Sequence, residues 1–163
     1  GLLYLNFKNK DELCLQCVKE SYDQMIRHLK AEGLSTGEVS GSFHRLLQLR
    51  QEFFLNHPYY ANIFFQSVLQ PPKHLTGELK SIRREFDDFC TETYRGMLSR
   101  LSLREGITEE MALEYFSAFT EMFNRYFQSR AEEGGDYHTL IEDHEGKLPA
   151  IWDMMIYGVA QQN

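Results

Sequence analysis

The sequence predicts an all-α domain, and three observations carry that prediction. Apolar residues recur at a 3.6-residue spacing along nearly the whole of the 163-residue chain. No segment shows the alternation between hairpin turn signals that a half-buried strand requires. Pro and Gly clusters divide the chain into lengths that suit helices.

The first helix is predicted from Asn9 to about Ala31, where Cys14, Val18, Tyr22, Met25 and Leu29 form one stripe. Asn9 and Glu12 have the spacing of a capping box, which places the helix start at Lys10. GLSTGEVSG, residues 33–41, breaks the pattern. A second helix follows, carrying Phe43, Leu46, Leu47, Phe53 and Phe54, and ends at Asn56. Pro58 suits the first turn of a third, PYYANIFFQSVL, because its missing N–H is not needed there. The paired prolines of QPPKH end it.

The longest stripe runs from Leu75 through Leu79, Ile82, Phe86, Phe89, Cys90 and Met97 to Leu101, about seven turns. Thr108, with Glu109 and Glu110 behind it, starts a fifth helix. This one carries Ala112, Phe116, Phe119, Met122, Phe123, Tyr126 and Phe127, and EEGGD stops it. A short helical piece through Tyr137, Leu140 and Ile141 is predicted to run to Gly146. Pro149 then opens a separate final helix with Ile151, Trp152, Met155, Ile156 and Val159.

With 42% apolar residues the chain can bury the core of one ordinary domain. A formal charge of −7 excludes a surface that is basic all over, so any nucleic-acid contact must be local. Cys14, Cys17 and Cys90 all fall in apolar helical patterns and read as small reduced core residues of a cytosolic protein. Cys14 and Cys17 form a Cys-x-x-Cys spacing, but no second pair and no strand-turn-helix context accompany it. No apolar run approaches the roughly 18 residues of a membrane span, so no membrane partner is expected.

Two helices are more apolar than one buried face requires: the one after Thr108 and the one after Pro149. A homodimer that pairs both with their symmetry mates would cover the surplus. A buried central helix with an internal C-terminal helix is the alternative. The dimer reading assigns the interface to Phe116, Phe127, Ile151, Trp152, Met155 and Val159.

The opening stretch, GLLYLNFKNKDEL, resembles the end of the DNA-binding module of TetR-family (tetracycline-repressor-like) regulators. The family pattern Gly-x-Leu-Tyr-x-(His/Tyr)-Phe-x-x-Lys-x-x-Leu is met by Gly1, Leu3, Tyr4, Phe7, Lys10 and Leu13, with Asn6 where the family often has His. The resemblance implies that residues 1–8 end a helix-turn-helix cut within its recognition helix. Residues 9–163 would be an all-α ligand-binding and dimerisation domain. The implied function is that of a ligand-responsive repressor, without enzymatic activity or cofactor, that binds operator DNA as a homodimer and is released by a small apolar or amphipathic effector.

By the same resemblance Tyr4 and Lys10 are the expected phosphate contacts, with Asn6 and Lys8 beside them. Hydroxyl and ammonium donors at the edge of a recognition helix suit that role, and the N-terminal dipole at Lys10 adds to it. Simple solvent exposure is the alternative for Lys8. A helical scaffold module, whose opening match is accidental, is the alternative for the whole chain.

A small-molecule pocket is expected among Met25, Phe64, Phe86, Phe89, Cys90, Tyr94, Phe119 and Phe123, with Thr93 and Asn124 as further polar groups. Ordinary core packing is the competing account of each. Enzyme readings find no support. No histidine has Glu three positions before it, as helical di-iron sites need. His138, Glu142 and Glu145 could share a face as partial metal ligands would, but a solvated polar face is the preferred reading of them. No Gly-rich phosphate loop or nucleophile elbow is present.

Overall fold

A computed structural model describes residues 7–32 and 42–161. They form six α-helices: α1 (Lys10–Ala31), α2 (Ser42–Asn56), α3 (Pro58–Leu69), α4 (Thr76–Leu98), α5 (Glu109–Glu132) and α6 (Tyr137–Val159). A short 3₁₀ turn, Lys73–Leu75, precedes α4. Among the described residues the one extended pairing is a bridge between Leu103 and Ala160, which fastens the end of α6 to the α4–α5 connection.

The start signals act as their chemistry dictates. Asn9 Oδ1 accepts from the Glu12 amide at 2.9 Å, while Glu12 Oε2 reaches back to the Lys8 amide at 2.9 Å. Thr108 Oγ1 caps α5 through the Met111 amide, and Asp136 caps α6 through the Thr139 amide. Each removes an otherwise unpaired donor from a helix terminus. Gly134 ends α5 at φ 87°, a backbone angle at which a side chain would be strained.

Two boundaries differ from expectation. The α4 stripe stops at Leu98 rather than Leu101, because the chain turns there through the Leu101 N–H to the Leu98 carbonyl. More importantly, the C-terminal segment is one helix of 23 residues with Pro149 inside it. Proline costs one backbone hydrogen bond at that point, but Leu140, His144, Leu148, Trp152, Met155 and Val159 make one buried stripe across it. Packing along the whole stripe outweighs the single lost bond.

Helix α1 packs on α2, α3 and α4, and α5 lies against α3, α4 and α6, while α2 also meets α6. The core therefore runs from Met25 and Leu29 on α1, through Leu49 and Leu69, to Phe116 and Phe127 on α5 and Leu140 on α6, all fully enclosed.

Candidate functional site

Of the expected DNA contacts, Tyr4 and Asn6 lie outside the described residues. Lys8 and Lys10 are both exposed at the start of α1, one turn before Cys14.

The eight residues expected at a ligand site fall into more than one packing group. Met25, Phe64, Phe86 and Phe123 are buried; Phe89, Cys90, Tyr94 and Phe119 are half-buried. Phe64 and Phe86 meet at 6.0 Å between ring centres, and Tyr22 of α1 touches both, at 5.3 and 5.1 Å. Tyr94 instead stands edge-on to Phe116 and Trp152, Phe123 packs on Phe127 and His144, and Phe119 neighbours Tyr115. Thr93 spends its hydroxyl on the Phe89 carbonyl. Burial pushes the Cys90 thiol up to about 12, with Asp87 adding to it, so this cysteine is an inert, protonated filler.

Phe64, Phe86 and Phe123 nevertheless belong to one aromatic column. From Tyr22 it passes through Phe86 and Phe64 to Phe54 and Phe65, then to His144, Phe123 and Phe127. The column joins α1 to α5 and α6.

A charged pair, which the sequence reading did not single out as a pair, sits on this column. The Arg50 guanidinium lies over the rings of Phe54, Phe64 and Phe65 at 5.0, 5.5 and 5.9 Å. Its Nη1 donates to both oxygens of Glu145, at 2.8 and 2.6 Å. The side chains are only 11% and 18% exposed. Next to Glu145, His144 Nε2 is hydrogen-bonded with Asn124 Oδ1 at 3.0 Å and Nδ1 lies 3.4 Å from Glu145 Oε2. Burial alone would push the Glu145 carboxyl up, but the Arg50 charge and the hydrogen bonds from His144 and Arg50 hold it below its ordinary value. Glu145 thus turns inward, away from the exposed His138 and Glu142 with which the sequence had grouped it. Among the described residues no cluster of three or more His, Cys, Asp or Glu side chains is placed to hold a metal ion.

A groove of about 510 Å³ opens elsewhere, where the first turns of α1 face α3 and the beginning of α4. Cys14, Cys17 and Val18 form its α1 wall. Tyr59, Asn62, Ile63, Gln66 and Ser67 form the α3 wall, and Gln70, Pro72 and Leu79 close the end. Tyr59 Oη and Cys17 Sγ approach to 3.6 Å across it. None of the eight expected ligand residues lines this groove.

The face of α5 and α6 turned away from the core is also informative. Phe116, Phe127, Trp152, Met155 and Val159, five of the six residues assigned to an interface, are between 0 and 6% exposed inside the protomer, and Ile151 is half-buried. Side chains so enclosed have no surface to offer a second copy. The open apolar positions lie beside them: Met111, Tyr115, Met122 and Tyr126 on α5, and Met154 and Tyr157 on α6, from 38 to 65% exposed. Both helices are apolar on two faces, and the wholly apolar phenyl rings of α5 took the inner one while its hydroxyl-bearing Tyr115 and Tyr126 stayed outside. A Cβ at Gly158 would stand 3.6 Å from the Tyr115 hydroxyl, so the open faces of the two helices are continuous.

The described residues thus form an all-helical domain whose two long C-terminal helices are tied to its first helix by an aromatic column. The particular family is shown by residues 39–155, which match the one described as tetracyclin repressor-like, C-terminal domain. The chain belongs to this family. The match runs from α2 through most of α6, and leaves α1 outside it. No curated protein matches the chain.

Proposed function

We propose that this chain is the sensor and assembly part of a DNA-binding transcriptional regulator, a repressor that binds its operator as a homodimer and is released by a small effector. The observation that carries the reading is the uncovered apolar face of α5 and α6. Methionines and tyrosines at positions 111, 115, 122 and 126 fall on one side of α5, and a patch of that kind marks an interaction surface. Packed against its symmetry mate, the α5–α6 pair makes a four-helix contact of the isologous type.

Lys8 and Lys10 stand exposed at the end of α1 that lies nearest the preceding segment, and this supports their role beside DNA phosphates, with Tyr4 and Asn6 completing the set. Helix α1 has 22 residues, a lever of about 33 Å. The aromatic column touches it at Tyr22, so an effector that parts Phe64, Phe86 or the neighbouring Met25, Phe89, Cys90 and Tyr94 tilts the lever.

The reading is tested on assembly. The parent chain is expected to run as a dimer at micromolar concentration in light scattering. Met122→Lys with Met154→Lys should shift the dissociation midpoint by at least about a hundred-fold, since each buries an unpaired charge at the contact. A parent chain that is monomeric at those concentrations would remove the support for this reading.

A further inference from the structure

The groove on α1 has a chemistry of its own. Its volume lies within the range of about 300–1,000 Å³ typical of small-molecule sites, and none of its lining side chains carries a full charge. Burial and the neighbouring Cys17 raise the Cys14 thiol above its ordinary value, and the contact with Cys17, with burial, holds the Tyr59 hydroxyl up to about 12. Both groups are therefore protonated at neutral pH. The carboxyl groups that act on Cys14 and Tyr59 are engaged already, Asp11 with His74 at 3.0 Å and Glu20 with Tyr60 at 3.0 Å.

A charged ligand entering here would lose water and meet no counter-charge, which is costly. A neutral molecule meets what it needs. Val18, Ile63 and Leu79 offer apolar surface, and the amides of Asn62 and Gln66 each carry both donors and acceptors. Ser67 contributes less, because its hydroxyl donates to the Phe64 carbonyl at 2.7 Å.

We propose that this groove is a binding site for a neutral, amphipathic small molecule, its apolar body between Val18, Ile63 and Leu79 and its polar end on Asn62 and Gln66. The site is separate from the aromatic column, and its occupant holds α1 and α3 in contact from the solvent side.

The test uses the complete chain with two related fluorescent probes, neutral N-phenyl-1-naphthylamine and its anionic relative 8-anilino-1-naphthalenesulfonate. The neutral probe should bind saturably and at least about ten-fold more tightly than the anion. Ile63→Trp should weaken the neutral probe by at least about ten-fold by filling the groove. Gln66 is exposed, so Gln66→Trp obstructs the same groove without touching the core and should act alike even where Ile63→Trp destabilises the fold. Cys90→Trp, outside the groove lining, should leave the probe unaffected. Saturating probe should also slow alkylation of Cys17 by iodoacetamide, read by peptide mass. Equal affinity for the two probes, binding that ignores Gln66→Trp, or Cys17 alkylation unchanged at saturation overturns the proposal. The monomerising lysine pair on α5 and α6 should keep the probe site, so a failure of the dimer reading and a failure of this one are read separately.

Discussion

The Arg50 site and the α1 groove are both polar places on one helical domain, and they differ in charge and closure. At Arg50 three phenyl rings and one carboxylate enclose the guanidinium and leave it 11% exposed. Its binding partner is built into the chain. The groove holds neutral groups that face solvent, with a volume for a visitor. The difference teaches where to look for recognition: a buried charge with its counter-charge supplied ties helices together, whereas an open neutral cleft selects a ligand. The tie here runs from α2 to α6 through Arg50 and Glu145, and from α6 to α5 through His144 and Asn124.

The strongest way to break this comparison is to separate the charged pair. Glu145→Leu leaves Arg50 buried beside three rings without its counter-ion and should cost about 3–5 kcal/mol, as for other buried pairs that lose one member. Removing both charges, with Arg50→Met added, should restore stability to within about 1 kcal/mol of the parent, since hydrophobic replacement of the pair avoids desolvation. Urea unfolding of the four chains gives the coupling directly. A single-mutant cost below about 1 kcal/mol would show the pair to be screened like a surface bridge, and the contrast with the groove would lapse.

Acid titration is a gentler form of the same experiment. The folded Glu145 carboxyl lies below its ordinary value of 4.5. Its contribution is therefore complete above the unfolded value and is lost as pH falls through the lower, folded one. The loss should be smaller than for Glu145→Leu, because a protonated carboxyl still bonds to its neighbours. Unfolding midpoints between pH 7 and pH 3 should show a steeper acid limb in the parent than in the Arg50→Met/Glu145→Leu chain. The exposed Asp136 and the half-buried Asp143, lowered by the hydrogen bonds they accept from Thr139 and Arg130, give both chains a common background. Probe binding in the neutral groove should stay flat from pH 7 to pH 5, where the Cys14 thiol and the Tyr59 hydroxyl, both raised, stay protonated. Parallel acid limbs would mean that Glu145 is not selectively stabilised.

Most helix boundaries were legible, because caps and prolines are local signals. Asn9, Pro58 and Thr108 each marked a start that the structure keeps. Pro149 misled, since the stripe from Leu140 to Val159 that carries the helix past it is a tertiary effect. The core-facing side of α5 was unreadable for a related reason: Phe116 and Phe127 compete with Met122 and Tyr126 for the interior, and only neighbouring helices decide. The Arg50 pair left a trace that could have been found. Arg50 sits four residues after Leu46 and four before Phe54, and His144 four after Leu140 and four before Leu148, so each interrupts an apolar stripe. A charge on such a stripe asks for a buried partner. The groove left only the Cys14 and Cys17 spacing as a trace, as its other lining residues come together from separate helices.

The smallest expected effect sharpens the comparison from the other side. Asn9 caps α1 through the Glu12 amide at 2.9 Å, and Asn9→Ala should cost about 1 kcal/mol, the usual value of a lost cap. The loss is local, since fraying touches only the first turn or two, and those turns carry the Cys14 and Cys17 wall of the groove. Hydrogen exchange should therefore accelerate at the amides of Glu12 and Leu13 while those of α2 and α6 around Arg50 keep their protection. Affinity for the neutral probe should fall by about two- to five-fold as part of the wall becomes mobile, within the roughly 1 kcal/mol made available by the missing cap. The coupling between Arg50 and Glu145 should not change, because the pair is held by α2 and α6 and shares no partner with Asn9. Should the cap mutation weaken that coupling while the probe binds as before, the start of α1 is tied to the charged pair rather than to the groove, and the division between a closed structural site and an open receptive one is drawn in the wrong place.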